Sequence, residues 1–193
     1  MTSHLVEGRP LPNAVAGHRA LELCNTKALW GLASEKEYLT DFTALVLWAR
    51  EHRLITPAEA RWLRAEPAPK QRAALAQARA LRATLFRAVT EPGAPLDEVH
   101  SFVARAVARA SYQREGGRLR LHPPLAPGVI ADRAALDAHR LLEEYGPDAV
   151  GLCASDACGW VFLDPTHRRR WCVMAICGNR AKARRFAQRQ RTD

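Results

Sequence analysis

The stretch CASDACGWVFLDPTHRRRWCVMAIC, residues 153–177, decides the fold of the C-terminal part of the chain. Cys153 and Cys158 enclose four residues, thirteen residues separate Cys158 from Cys172, and Cys172 and Cys177 again enclose four. Two close pairs of thiols suit a tetrahedral zinc ion, because ligands that are already paired lower the entropy lost in gathering four of them. The spacing therefore predicts one zinc ion bound by Cys153, Cys158, Cys172 and Cys177.

Neither disulfides nor four buried free thiols account well for this cysteine pattern. Four unrelated buried thiols would not be expected to form two symmetric pairs, and disulfides belong to oxidising compartments. Residues 1–23 contain no apolar run typical of a secretory signal, and no run of 18 apolar residues predicts a membrane span. We therefore expect a cytoplasmic protein whose thiols are reduced or bind metal. The fifth cysteine, Cys24, lies in an apolar segment and is expected to be a small core residue.

A β-hairpin and a helix are predicted around the second pair of cysteines. GWVFLD (159–164) and RRWCVM (169–174) are rich in aromatic and β-branched residues and predict two short strands. The segment 178–190, GNRAKARRFAQRQ, has no helix breaker after its glycine. Its helix would point its amino end at the thiolates, where the helix dipole favours negative sulfur. Together these elements predict a small, treble-clef-like zinc finger.

Positive charge is concentrated in the same segment. Residues 151–193 carry nine cations and three anions, a net charge of +6 out of +9 for the chain. On a helical wheel of residues 180–191 the cations cover most of the surface, while Ala183, Phe186 and Ala187 share a side suited to packing on the hairpin. The competing interpretation is a solvated helix whose arginines reflect a GC-rich genome. The candidate nucleic-acid contacts are Arg168, Arg169, Arg170, Arg180, Lys182, Arg184, Arg185 and Arg189, with Arg191 on the same wheel.

The longer part of the chain, before the cysteines, predicts mainly helices. Its apolar side chains recur at three- and four-residue steps, the spacing of helices that bury one face. Gly116-Gly117 stands between residues of alternating polarity and predicts a β-hairpin, whereas residues 1–17 predict an irregular or weakly paired lead-in. The predicted helices contain Leu21, Leu23, Trp30 and Leu32; Leu39, Phe42, Leu45, Val46 and Ala49; residues 57–66 behind the capping box of Thr56 and Glu59; Leu75, Ala78, Leu81, Leu85 and Val89; Val99, Phe102, Val103 and Ala106; and residues 131–145.

The predicted fold class is mainly α (α+β), with a finger module at the C-terminus. Gly146-Pro147 ends the last long helix, and we expect the chain to divide there into a helical domain, residues 1–145, and a finger, residues 146–193. Residues 43–64 also resemble a helix-turn-helix. The second helix of that pair starts with Pro57, Ala58 and Glu59, and an acidic start suits phosphates poorly, so two ordinary core helices are favoured.

Beyond these patterns, the sequence resembles the bacterial CGNR zinc-finger proteins, described as stress-induced transcription regulators. Their signature stands here as Cys177-Gly178-Asn179-Arg180, preceded by CGWVFLD and RRRWC. Two upstream segments, LELCNT (21–26) and DFTALVLWAREHRLITPAEARWL (41–63), also resemble the family, with Glu22 where Asp is usual and Cys24 where valine is usual. The resemblance implies a zinc-binding C-terminal module on a larger N-terminal domain.

Two classes of function follow as hypotheses. The first is a transcription regulator whose finger contacts DNA, while the helical domain forms a homodimer or senses a small-molecule ligand. Asn25 and Thr26, polar within an apolar segment, are candidates for a pocket rim, although helix capping explains them equally well. The second is a zinc-stabilised module that binds an acidic protein partner. An enzyme is not expected, because four thiolates close the zinc shell and leave no position for water.

Arg180 has two interpretations that the sequence leaves open. It could contact a phosphate, or it could form an ion pair with Asp156 or Asp164 that locks the finger.

Overall fold

The computed structural model describes residues 2–190 of the chain. Half of the chain is helical, and the sheets of the described residues are small antiparallel hairpins formed by strands adjacent in sequence. This confirms the predicted mainly α fold class with a finger module at the C-terminus. None of the helices within residues 2–190 is long and apolar enough to cross a membrane.

The elements follow one another with short connections. A single-turn 3-10 helix, Pro147–Ala149, precedes the finger, and a π-helical turn, Met174–Gly178, precedes its last helix. The others are β1 Ser3–Val6, β2 Arg9–Pro12, α1 Arg19–Cys24, β3 Lys27–Ala28, β4 Lys36–Glu37, α2 Phe42–Glu51, α3 Pro57–Arg64, α4 Ala68–Thr90, α5 Asp97–Arg109, β5 Ser111–Glu115, β6 Arg118–His122, α6 Val129–Glu144, β7 Val150–Leu152, β8 Val161–Leu163 and α7 Asn179–Arg189.

The main core lies between α2, α3, α4 and α6. Leu45, Trp48 and Leu81 are buried at its centre, and the helical spacing predicts Leu45 and Leu81. The predicted capping box is present at the start of α3: the Thr56 hydroxyl accepts a hydrogen bond from the Glu59 amide, and the Glu59 carboxylate accepts one from the Thr56 amide. The hairpin β5–β6 turns at Gly116 and Gly117, and the lead-in forms the hairpin β1–β2.

The helix predicted around Leu21 and Leu23 ends earlier than its pattern indicates. Apolar spacing predicts that Trp30 and Leu32 continue it, but α1 stops at Cys24. The Leu29 amide donates to the Cys158 carbonyl at 3.0 Å, Trp30 stacks on an aromatic ring of α4, and Leu32 is 51% exposed. Contacts with distant segments therefore override the local periodicity.

The strand pairing of the finger also differs from the prediction. GWVFLD contains β8, but β8 pairs with β7, which precedes the first cysteine, and RRWCVM forms no strand. The Asp164 carboxylate accepts hydrogen bonds from the amides of Arg168 and Arg169, which folds the intervening segment into a loop. The Ala154 amide donates to the Arg170 carbonyl at 3.1 Å, so the loop closes on the first cysteine pair instead of pairing as a hairpin.

The finger packs directly on the helical part of the chain. Val161 of β8 is fully buried in one apolar cluster with Leu21, Leu85 and Leu141, which belong to α1, α4 and α6. A turn with positive φ at Gly146 separates α6 from the finger. The division of the chain at this turn stays a prediction, and the shared cluster indicates that the two parts stabilise each other.

Candidate metal centre and basic helix

The four cysteine side chains of the finger meet at one point. Their Sγ atoms all lie within 4.8 Å of one another, and all four residues are buried. The Sγ atoms of Cys158 and Cys172 are 3.5 Å apart, and those of Cys172 and Cys177 are 3.6 Å apart. A tetrahedral zinc ion with bonds of about 2.3 Å to sulfur requires sulfur atoms about 3.8 Å apart. The cysteine cluster therefore has the ligand type, number and size that zinc requires.

Backbone hydrogen bonds hold the first pair of cysteines. The Cys153 amide at the end of β7 donates to the Trp160 carbonyl at 2.8 Å, and the Cys158 amide donates to the Ser155 carbonyl at 2.9 Å. These bonds form a tight turn between β7 and β8. The next residue, Gly159, has a φ of 69°, and a side chain there would press on the backbone of Leu29. Glycine is thus required where the turn touches the segment after α1.

The second pair is held by an arginine and by the π-helical turn. The Arg169 guanidinium donates to the Cys172 carbonyl at 2.8 Å and to the Val15 carbonyl at 3.3 Å, and it lies 4.3 Å from the centre of the Phe162 ring. The Cys177 amide donates to the carbonyl of Val173, the residue just before the π-helical turn, at 2.9 Å. One side chain therefore joins a candidate metal ligand to the segment before α1.

Crowding of the thiols shifts their protonation. The hydrogen bond between Cys153 and Cys158 lowers the pKa of Cys153 and raises the pKa of Cys158. The hydrogen bond with Cys153 also raises the pKa of Cys172. Four thiolates this close would repel one another, and a bound divalent cation would allow all four to share the space.

Cys24 is separate from this cluster, as predicted. It is fully buried, its Sγ lies 4.0 Å from the Arg82 carbonyl oxygen, and burial raises its pKa to about 12. A neutral thiol in an apolar environment behaves as a small hydrophobic side chain.

Helix α7 extends away from the cysteine cluster with its surface exposed. The sequence predicts that Ala183, Phe186 and Ala187 pack on a hairpin, but all three are exposed, Phe186 by 63%. The reason is that the hairpin expected between the cysteine pairs does not form, and β8 packs on α1 instead. The predicted packing side of α7 is therefore a solvent-facing apolar strip.

The cations predicted on α7 differ in their surroundings. Arg180 is half-buried and donates to the Ala157 carbonyl at 3.5 Å, which joins the helix to the first cysteine turn. Arg184 lies 3.3 Å from the carboxylate of Asp156, so the acid considered for Arg180 pairs with the next turn of the helix. Lys182, Arg185 and Arg189 are exposed, and Arg191 lies outside the described residues.

The three loop arginines also separate into two kinds. Arg168 and Arg170 are exposed, and the Arg170 guanidinium lies 5.2 Å from the centre of the Trp171 ring. Arg169 instead uses its guanidinium on backbone carbonyls. All three arginines are exposed, but Arg169 alone uses its guanidinium to hold the finger together.

The Gly-Asn part of the signature supports the π-helical turn. Gly178 has an ordinary helical φ of −64°, so conformational freedom is not its role. A Cβ there would overlap the Met174 sulfur and lie 3.2 Å from the Trp171 ring. The Asn179 side chain donates to the Ala175 carbonyl at 3.0 Å, which satisfies an acceptor of the turn.

Asn25 and Thr26 lie inside the protein, fully buried. The Asn25 amide donates to the Val161 carbonyl and accepts from the Val161 amide, both at 2.9 Å. Thr26 donates to the Leu23 carbonyl and accepts from the Arg82 guanidinium. The sequence leaves a pocket rim and helix capping open here. Neither residue lines the cavity of about 840 Å³ in the helical domain, and the Asn25 side chain joins the finger to α1.

A mainly helical domain, a buried four-cysteine cluster and an exposed basic helix together define a zinc-finger protein. Comparison with known families gives two matches: residues 150–190 match the CGNR zinc finger, and residues 17–157 match the ABATE family, described as "Putative stress-induced transcription regulator". The second match covers most of the chain, and the chain belongs to this family. A comparison with curated proteins gives no match. The two matches overlap at residues 150–157, which contain β7 and Cys153.

Proposed function

We propose that this protein regulates transcription by contacting DNA through its finger. Cys153, Cys158, Cys172 and Cys177 bind one zinc ion, and the zinc fixes the start of α7. The observation that carries the proposal is the exposure of α7: from Lys182 to Gln190 every residue faces solvent. If α7 packed against the rest of the chain, fewer of its cationic side chains would be accessible to phosphate.

The local charge balance supports a phosphate partner. Residues 151–193, within the finger, hold six of the nine net positive charges of the chain. The two acids among residues 151–190 are already engaged, because Asp156 pairs with Arg184 and the buried Asp164 accepts hydrogen bonds from amides of the loop. Lys182 and Arg185 on α7, and Arg168 and Arg170 on the loop, therefore face solvent with little local compensation, the pattern of a surface that neutralises phosphates.

The salt dependence of DNA binding tests this proposal. Each phosphate contact that is lost should reduce the slope of log affinity against log salt by about 0.9 for duplex DNA. Changing Arg184, Arg185 and Arg189 to Ala should flatten the slope by roughly two to three units if all three make contact. Zinc content should not change, because no ligand is touched. Weakening should be similar across duplex sequences, since phosphate contacts carry little base information.

A matched control removes the same charge elsewhere. Arg61, Arg72 and Arg105 are exposed on α3, α4 and α5, and changing these three to Ala should leave the slope unchanged. An equal loss of slope in the control would mean that net charge, not the finger, drives binding.

The second candidate function is a zinc-stabilised module that binds an acidic protein. The exposed strip at Phe186 favours it, because an aromatic ring among arginines suits a partner with apolar and acidic groups. If the wild-type protein shows no salt-dependent binding to any duplex or single strand, this function replaces the first. The homodimer and the small-molecule ligand of the helical domain are further parts of the proposal.

A further inference from the structure

A cavity of about 840 Å³ lies in the helical domain, far in sequence from the cysteine cluster. It is bounded by the link between α2 and α3, by α6 and by the segment from β6 to residue 125. Small-molecule sites usually have volumes of about 300–1,000 Å³. Six of the lining residues are arginines and three are acids, and Arg50 also pairs with Glu7, which lies outside the lining, at 2.8 Å. The lining therefore has positive charge in excess of its acids. The six arginines are Arg19, Arg50, Arg53, Arg120, Arg133 and Arg140.

Ion pairs with the acids fix several of these arginines in place. Arg133 donates to both carboxylate oxygens of Glu59 and to the Leu54 carbonyl at 2.7 Å, which ties α6 to the α2–α3 link. Arg19 and Arg140 share the single buried carboxylate of Asp137, at 2.9 Å and 2.8 Å. Two guanidinium groups on one carboxylate leave one positive charge uncompensated at this wall of the cavity.

Arg53 is the unusual member of the set. It stands just after α2 with a φ of 55°, where the Arg53 amide bonds the Arg50 carbonyl and the Leu54 amide bonds the Ala49 carbonyl. This is the helix ending that favours glycine, because the left-handed conformation strains any residue with a Cβ. Within residues 2–190 the Arg53 guanidinium has no ion pair or hydrogen bond. Neither the backbone nor the packing of the described residues explains an arginine here.

Part of the cavity wall is apolar. Leu54 and Ile55 are buried in the α2–α3 link, and Leu136 is buried on α6. Leu125, 39% exposed, adds an apolar side at the end of the segment after β6. The cavity therefore combines an apolar wall with a cationic one, which suits a ligand that has both kinds of surface.

We propose that this cavity binds a small organic anion. The apolar body of the ligand lies against Leu54 and Leu136, and its carboxylate or phosphate binds Arg53 and the pair Arg19–Arg140. The binding itself is independent of DNA contact, and only its meaning as a signal for regulation rests on the proposed function.

A pair of fluorescent probes tests the proposal on the zinc-loaded full chain. The probes are 8-anilinonaphthalene-1-sulfonate, which is anionic, and N-phenyl-1-naphthylamine, its neutral analogue. We expect saturable binding of one anionic probe per chain. Arg53→Gly should weaken it roughly tenfold or more, since hydrogen bonds to charged groups contribute about 1.5–3 kcal/mol. The same variant should leave the neutral probe unaffected and raise Tm, because glycine relieves the left-handed strain. Arg72→Ala, an exposed charge on α4, is the control and should change neither probe.

Competition separates the two sources of anionic charge. Displacement of the bound probe by hexanoate alone assigns the ligand to the carboxylates, and displacement by phenyl phosphate alone assigns it to the organic phosphates. Equal binding of the anionic probe by wild type and Arg53→Gly would overturn the proposal. So would displacement by a short DNA duplex but by neither small anion, because the arginines would then belong to a nucleic-acid surface. A protein that binds the probe as expected but shows no salt-dependent DNA binding would refute the proposed function and leave this site standing.

Discussion

Asn25 connects the finger to the helical domain through both ends of its side-chain amide. Its two hydrogen bonds satisfy the amide and carbonyl of Val161, which is fully buried. Asn25→Ala leaves both backbone groups without partners and should lower the free energy of unfolding by about 2–5 kcal/mol, since each buried unsatisfied group costs about 1–3 kcal/mol. The midpoint of urea unfolding, at constant m, measures the loss.

A second asparagine provides the control for this substitution. Asn13 bonds the exposed ring of His4, so Asn13→Ala should change the free energy of unfolding by less than about 0.5 kcal/mol. Equal effects of the two substitutions would show that Asn25 does not join the two parts of the chain.

The assignment of the zinc ligands can be tested one cysteine at a time. Cys172 has two sulfur neighbours within 3.6 Å, so Cys172→Ser should lose the stoichiometric zinc and disorder α7. Cys24→Ala should keep one zinc per chain, because the Cys24 thiol contacts the Arg82 carbonyl and not the cluster. Metal analysis of the purified variants gives the result, and full zinc content in Cys172→Ser would defeat the assignment.

Single residues differ in how well the sequence predicts them. The cysteine spacing is a local pattern and correctly predicts one cluster. The roles of Asn25 and Arg169 depend on Val161 and Val15, which lie 136 and 154 positions away in the chain. No local pattern marks such a bond, although two polar residues directly after an apolar helix indicate that some buried partner exists.

Among the elements, α3 shows most clearly how a few neighbouring side chains determine where a helix begins. Its capping box and the bidentate pair of Glu59 with Arg133 fix the helix start against α6. The hydrogen bonds from Arg133 lower the pKa of Glu59 from 4.5 to about 2. A lowered carboxyl pKa stabilises the folded state above the unfolded pKa, and this contribution is lost as pH falls towards the folded value.

The pH dependence of stability tests this ion pair. The difference in free energy of unfolding between the wild type and Glu59→Gln should be constant above about pH 5.5 and should shrink as pH falls from about 4.5 towards 2. Urea unfolding at a series of pH values measures it. When Arg133 is changed to Met in both proteins, the difference in free energy of unfolding caused by Glu59→Gln should lose most of this pH dependence. A difference that grows on acidification would show that the pKa of Glu59 is raised, not lowered.

The elements with local signals are those that the sequence predicts correctly. Helices α2 to α6 follow from apolar spacing, caps and breakers, all contained within each helix. The pairing of β7 with β8 is not predictable in this way. Strand β7 has only three residues, Val150-Gly151-Leu152, which is too short to show an alternating pattern of polar and apolar side chains. The early end of α1 likewise depends on the Leu29 amide reaching the Cys158 carbonyl.

At the scale of the whole molecule, the finger and the helical domain share an apolar cluster. A chain ended at Tyr145 lacks Val161 and exposes Leu85 and Leu141, which pack against it. Such a chain should keep a helical circular dichroism spectrum and a cooperative melt, because the core around Leu45 and Trp48 is intact. It should melt at a lower temperature than the full chain. A non-cooperative melt would mean that the two parts fold only as one domain.

The central claim is that zinc in the four-cysteine cluster holds α7 in position to contact phosphate. Zinc-stripped protein, titrated with zinc in the presence of a fluorescent duplex, tests the claim by anisotropy at several salt concentrations. DNA affinity and the salt slope should both rise until one zinc per chain is bound and then stay constant, whereas Cys172→Ser should show no such rise. Zinc-free protein that binds the duplex with the same affinity and slope as the zinc-loaded protein would contradict the claim.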